Sequence, residues 1–345
     1  MATPLCLITG GSGYFGSRLR DHLRAHGWKV RVFDRVDADD RPGDVDFVQG
    51  DIRDAAGVAR AVADCEAVFH CVAQVPLAKD RRLFQSVNVG GTTTLLRAAR
   101  DAHVRKVVYV SSSAVFGAPE RNPVTESTAP NPGEAYGRAK LAGEEVCRSH
   151  AAAGLDVTIV RPRTILGHGR LGIFQILFEW IRQGCNVPVL GRGDNVYQFV
   201  HADDLAEACR LAAQRPGPTV YHCGAARFGT MREALEALCQ HAATGSRVRS
   251  LPMAPAVGLM KLTSALGLSP LGAYHALMYG RSLWFDITKA RQELGWQPRY
   301  SNNAMLIESY EWYLANRAKV LSAAGASPHR SPVRQGVLAL VGRLL

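Results

Sequence analysis

The chain has 345 residues, 47% of them hydrophobic, which allows a large core and excludes a disordered protein. Its 41 Lys and Arg outnumber 30 Asp and Glu, giving a formal charge of +11. The basic residues are scattered and form no recognition helix or nucleic-acid module, so nucleic-acid binding is not expected, whereas a small acidic substrate would need only a local cluster.

Leu5–Thr9 reads as a first buried strand, followed by a glycine cluster and a helix over Phe15–His26. Further strands are expected at Lys29–Asp34, Val45–Gln49, Ala67–His70, Lys106–Ser111 and Asp156–Arg161. Helical patterns at Val58–Val62, Gly90–His103 and Gly137–Ala152 separate several of them. Apolar strands linked by helices imply an α/β fold, a Rossmann-type doubly wound parallel sheet covered on both faces. Beyond residue 165 the spacing predicts helices at Phe174–Arg182, Ala202–Gln214, Met231–Ala243 and Met305–Asn316, with a strand at Val220–His222. Residues 251–280 are apolar, poor in charge and broken by Pro and Gly, as expected of a lobe core or a greasy pocket wall. The tail, 321–345, is expected to dock on the body or to stay disordered.

No apolar run reaches the roughly 20 residues that cross a bilayer. No basic segment precedes the short apolar run at the start, so no signal peptide is read and a cytoplasmic protein is expected. The eight cysteines form no C-x-x-C pair, which fits a reducing compartment and argues against zinc or iron–sulfur motifs. His70, His201 and His222 sit beside strands or motif segments without metal-ligand spacing, and no metal is expected.

Gly10, Gly13 and Gly16 end the first strand and open the first helix, the context required of a dinucleotide fingerprint. The first glycine permits the turn, the second admits a pyrophosphate and the third allows close packing. Asp34 ends the second strand, 18 residues after Gly16, where a carboxylate accepts from free ribose hydroxyls and repels a 2′-phosphate. NAD is therefore the expected cofactor, although the adjacent Arg35 is a possible phosphate partner. Asp51, after the third strand, reads as an adenine contact or a helix cap. Asn88 reads as a cap or as a residue that orients the cleft.

Ser111, Ser112 and Ser113 end the fifth strand, and ligands of open α/β sheets lie beyond such ends. Tyr136 and Lys140, four apart, share a helix face. A nearby ammonium is expected to lower the phenol pKa and ready it to move the proton of a carbinol.

These segments, with others, resemble one family. The set runs TGGSGYFG at 9–16, Asp34, GDI at 50–52, HCVAQ at 70–74, NVGGT at 88–92 and SSSAVFG at 111–117. It continues with YGRAK at 136–140, VRPRTILGHG at 160–169, FVHADDLA at 199–206 and ELGWQP at 293–298. Together they are similar to the extended short-chain dehydrogenase/reductase family, within its NAD-dependent epimerase/dehydratase group. The resemblance implies an NAD-binding domain at 1–165 and a smaller C-terminal substrate lobe at 166–320 with segments returning to the Rossmann core. It implies a homodimer. It places Tyr14, Phe15, Ile52, Ala73 and Pro162 on the cofactor with the glycines, Asp34, Arg35, Asp51, Asn88 and Lys140. It makes Ser112, Tyr136 and Lys140 the catalytic set, with Ser113 toward the substrate.

The chain departs from the family pattern in two places. The 4,6-dehydratases carry an Asp-Glu pair where Ser113 and Ala114 stand, so dehydration is not expected. Tyr197 and Gln198 replace the usual Arg-Asp, leaving Arg192 and Arg281 as candidates to hold a substrate diphosphate. Residues 251–298 resemble the 3β-hydroxysteroid-dehydrogenase-like branch. Two activities are therefore expected in order: an epimerase or oxidoreductase of a nucleotide-sugar hydroxyl, and a dehydrogenase or ketoreductase of a steroid-like or lipid-like secondary alcohol. A cofactor-sensing scaffold without turnover is disfavoured, because Tyr136, Lys140 and the serines are all present.

Overall fold

The computed structural model describes residues 3–74, 81–265, 278 and 280–322. Seven parallel strands form one sheet: β1 (Leu5–Thr9), β2 (Lys29–Asp34), β3 (Asp46–Gln49), β4 (Ala67–His70), β5 (Lys106–Val110), β6 (Val157–Pro162) and β11 (Thr219–Cys223), in the order β11-β6-β5-β4-β1-β2-β3. The central strands are buried on both faces, which is why each reads as an apolar run without alternation.

Helices cover both faces. α2 (Ala55–Val62), α4 (Thr92–Asp101) and α5 (Ala135–Ala152) contribute Val58, Leu95 and Cys147 to one core. α1 (Tyr14–Ala25) and α7 (Ala202–Gln214) pack Leu19, Leu205 and Cys209 into the other. α2 is capped by Asp54, whose carboxylate accepts from the Ala56 amide at 3.1 Å. Ahead of α4, α3 (Arg81–Gln85) leads into a wide π-turn over Ser86–Gly91.

A third hydrophobic cluster builds the C-terminal lobe from α6 (Ile173–Arg182), β8 (Val187–Leu190), α8 (Met231–Ala242) and the long α11 (Asn302–Ser322). Three two-stranded sheets brace it: β7 (Thr164–Leu166) with β10 (Phe199–His201), β9 (Val196–Tyr197) with β12 (Gly229–Thr230), and β8 with β13 (Val248–Leu251). α10 (Thr288–Leu294) returns to the large sheet, where Lys289 donates to the Val220 carbonyl at 3.0 Å. Within the apolar segment 251–280 lies a helix, α9 (Met253–Ala265), compatible with Pro255 because it falls in the first turn, where a missing amide costs nothing; residues 266–277 and 279 lie outside the described residues. The tail beyond Ser322 lies outside the described residues.

Candidate active site

The glycine cluster folds as a turn that side chains would block. Gly10 has φ +78°, and a Cβ there would lie 2.9 Å from the Val72 amide nitrogen. A Cβ at Gly16 would overlap the Gly10 carbonyl oxygen, so α1 approaches the turn as closely as backbone allows. α1 begins after Gly13 with no capping side chain and no acid in its first turn. Its unpaired N–H groups and positive end suit an anion.

At the end of β2, Asp34 accepts from the Ser12 amide at 3.1 Å and the Arg35 amide at 2.7 Å. Burial raises its pKa, and these backbone bonds oppose the rise. Arg35 is exposed beside it on the same cleft. Asp51 does not cap α2. It pairs with Arg53 at 2.6 Å, which holds its carboxyl down to about 2, and it lines the cleft with Ile52. Ala73 and Pro162 line it as well. Asn88 is 1% exposed and off the lining. It clamps the loop after β4, accepting from the Gln74 amide at 2.7 Å and donating to the Gln74 carbonyl at 3.2 Å. The glycine cradle, the uncapped helix end and the Asp34 carboxylate together fit a dinucleotide with free ribose hydroxyls.

The cleft, of about 890 Å³, opens at the carboxyl ends of β1 and β4, where the strand order reverses, and runs on into the C-terminal lobe. Ser112 caps a 3₁₀ turn over Ser113–Phe116, accepting from the Ala114 amide at 3.2 Å. α5 starts against that turn, since Gly137 leaves room only for the Ala114 carbonyl. Glu134 caps α5 by accepting from the Tyr136 and Gly137 amides at 2.7 and 2.6 Å. This fixes Tyr136 beside Ser112, whose hydroxyl favours the phenolate.

Lys140, one turn on and 3% exposed, donates to the Val110 carbonyl at 2.8 Å and lies 4.9 Å from the Tyr109 ring centroid. Burial pulls its pKa down to about 8. The expected lowering of the Tyr136 pKa by Lys140 is not seen. Burial pushes that phenol up to about 12; the Ser112 hydroxyl and the Arg170 charge oppose it. The ammonium is directed at a carbonyl and an aromatic face rather than at the phenol.

Two arginines not singled out from the sequence line the cleft. Arg163 is 1% exposed and donates from Nη1 to Ser113 Oγ at 2.7 Å, while its Nε and Nη2 have no hydrogen-bond partner. Its guanidinium lies 4.7 Å from the Tyr197 ring centroid. Arg170 sits 5.4 Å from the Tyr14 ring centroid, and burial brings its pKa down to about 10. Arg192 and Arg281, the two arginines expected at this place, are exposed and off the lining. Arg192 is engaged by Asp194 at 2.7 Å. A signal was present: residues 160–176 contain Arg161, Arg163 and Arg170 and no acid. Arg161 is answered by the buried Glu144 at 2.6 Å, which also accepts from Ser111.

Behind the cleft, Glu308 of α11 joins His168 Nδ1 at 2.9 Å and His201 Nε2 at 3.0 Å. His201 stacks on Tyr300 and accepts from the Asp203 amide at 3.2 Å. Sequence spacing could not show this trio, because Glu308 arrives from the last helix. His70 is held between Thr9 and Thr92, and burial lowers its pKa to about 3.

Comparison with known proteins places this geometry. Residues 6–224 match the NAD dependent epimerase/dehydratase family. The uncharacterized protein y4nG of Sinorhizobium fredii is 55% identical over 336 residues, covering 97% of this chain and 85% of that one. The UDP-glucose 4-epimerase of Streptomyces lividans is 31% identical over 337 residues, covering 89% and 95%. The crystal structure of UDP-glucose 4-epimerase with UDP-glucose from Thermotoga maritima superposes with a TM-score of 0.76 at 24% identity, covering 91% and 99%. The chain belongs to the NAD dependent epimerase/dehydratase family.

Proposed function

We propose that the protein oxidises a secondary hydroxyl of a nucleotide sugar and, as an epimerase, returns the hydrogen to the opposite face. The observation that carries this reading is that Ser112, Tyr136 and Lys140 line one cleft with the glycine turn and Asp34. UDP-glucose 4-epimerase is the activity named for the Streptomyces lividans relative. Bound NAD would supply the acceptor for the hydrogen that leaves the carbinol carbon.

Tyr136 takes the hydroxyl proton. It does so as the phenolate, favoured by the Ser112 hydroxyl and the Arg170 charge against burial. Ser112 donates to the substrate oxygen as it becomes a carbonyl. Lys140, anchored on Val110, presents its remaining N–H groups toward the cofactor ribose. Arg163 and Arg170 receive the substrate diphosphate, since each holds a buried N–H without a partner. Apart from Ser112, Tyr136 and Arg163, residues 1–165 serve the cofactor, and 166–320 serve the substrate with segments that return to the Rossmann core, in a homodimer. Eight free cysteines agree with a reducing, cytoplasmic setting.

The test is proton NMR of UDP-glucose with the NAD-loaded protein. Growth of the C4 epimer without NADH supports the epimerase, and stoichiometric NADH supports a dehydrogenase. Neither signal with any UDP-hexose sinks the reading. The apolar lining of the lobe favours a second reading, oxidation of a neutral hydrophobic alcohol, which would give NADH from a sterol and no response to UDP-sugars.

A further inference from the structure

The half of the cleft beyond Tyr136 is walled by Phe174, Leu177 and Trp180 of α6, Leu190 of β8, and Leu259 and Met260 of α9. Among the described lining residues the only carboxylates are Asp34 and Asp51, at the opposite end by β2 and β3. Several hydroxyls that would read a base or ribose are already engaged. Thr263 donates to the Leu259 carbonyl of its own helix at 2.8 Å, and the Thr164 and Tyr197 hydroxyls bond each other at 2.8 Å. Leu259 and Leu262 are 56% and 58% exposed, one turn apart on α9, so the apolar surface runs out of the cleft to solvent. A wall of this kind rewards burial of hydrocarbon.

The inner end of the same wall meets the buried Arg163 and the half-buried Arg170, each holding a buried N–H without a partner that calls for an anion. The complement of such a site is a phosphate carrying an apolar chain. We propose that the cleft accepts, besides nucleotide sugars, sugar phosphates in which an alkyl or isoprenoid chain stands in place of the nucleoside. The phosphates lie on Arg163 and Arg170, and the chain runs along α6 and α9 past Leu259. The inference rests on the reading given above for the sugar hydroxyl at Tyr136.

The experiment is calorimetric titration of the NAD-saturated full chain with inorganic pyrophosphate, UDP, and hexyl, octyl and decyl phosphate, each below its micelle-forming concentration. Affinity is expected to rise roughly two- to fourfold per added methylene. Leu259→Asp, a change at an exposed position, should weaken decyl phosphate at least tenfold. The pyrophosphate affinity of that variant reports whether the arginines remain in place. If affinity is flat with chain length while UDP binds, the chain-bearing class is overturned and the nucleotide-sugar reading stands. If UDP and the alkyl phosphates all fail to bind and a neutral sterol is oxidised, both fall.

Discussion

Arg163 and Ser113 meet through a 2.7 Å hydrogen bond inside the cleft, and two further nitrogens of that guanidinium have no partner. A buried charge so poorly answered stabilises little and is of use mainly when an anion arrives. Arg163→Met is expected to melt at or above the wild-type temperature. Its KM for a phosphate-bearing substrate should rise about ten- to hundredfold, the worth of a charge-assisted bond. Differential scanning fluorimetry and steady-state kinetics on one preparation check both halves.

Tyr136→Phe should retain NAD binding and lose about 10²- to 10⁴-fold in kcat, the usual contribution of a positioned acid–base group. The pH profile adds a sharper test. The phenol acts when ionised, so the oxidation rate should climb with pH. Arg170 lowers that pKa. Arg170→Gln should therefore move the ascending limb to higher pH, as read in kcat against pH. An unmoved limb would remove Arg170 from the account.

Lys140 has a folded pKa of about 8 against an ordinary value of 10.5. Below pH 8 it is charged in both folded and unfolded chains, and the fold bears the full cost of burying that charge. Between pH 8 and 10.5 the folded chain sheds the proton first, and the cost is relieved. Wild type should therefore gain on Lys140→Met by about 3 kcal/mol across this window. Denaturant midpoints at pH 7 and 10 measure it.

Glu144 is fully buried and accepts from Ser111, Arg148 and Arg161. Arg161 is itself 2% exposed. Glu144→Ala strands that charge and should cost about 3–5 kcal/mol in urea unfolding. Pairing it with Arg161→Met should recover much of the loss.

The large sheet was legible because a strand buried on both faces needs an apolar run and little else. β1, β2 and β4 match their expected bounds, and α7 does likewise. The glycine turn and Asp34 were legible because their constraint is local. The substrate end was not. Arg192 and Arg281 lie near a motif in sequence, whereas the arginines on the cleft lining are Arg163 and Arg170, and that lining depends on elements far along the chain. Asn88 stands off the cleft because its side-chain amide is used by the Gln74 backbone. Helix spacing shows which groups are neighbours and says nothing of the desolvation that raises the Tyr136 pKa. α11 begins earlier and ends later than its apolar periodicity suggested, since Asn302 enters to bond β9 and β10.

That last helix also sets an order of events during synthesis. A nascent chain ending at residue 300 already contains all seven strands of the large sheet. It lacks Asn302, which accepts from the Phe199 amide at 3.0 Å and donates to the Tyr197 carbonyl at 2.6 Å. It also lacks Glu308, which ties His168 to His201. The dinucleotide cradle is therefore encoded in full before the strands beneath Arg163 are pinned.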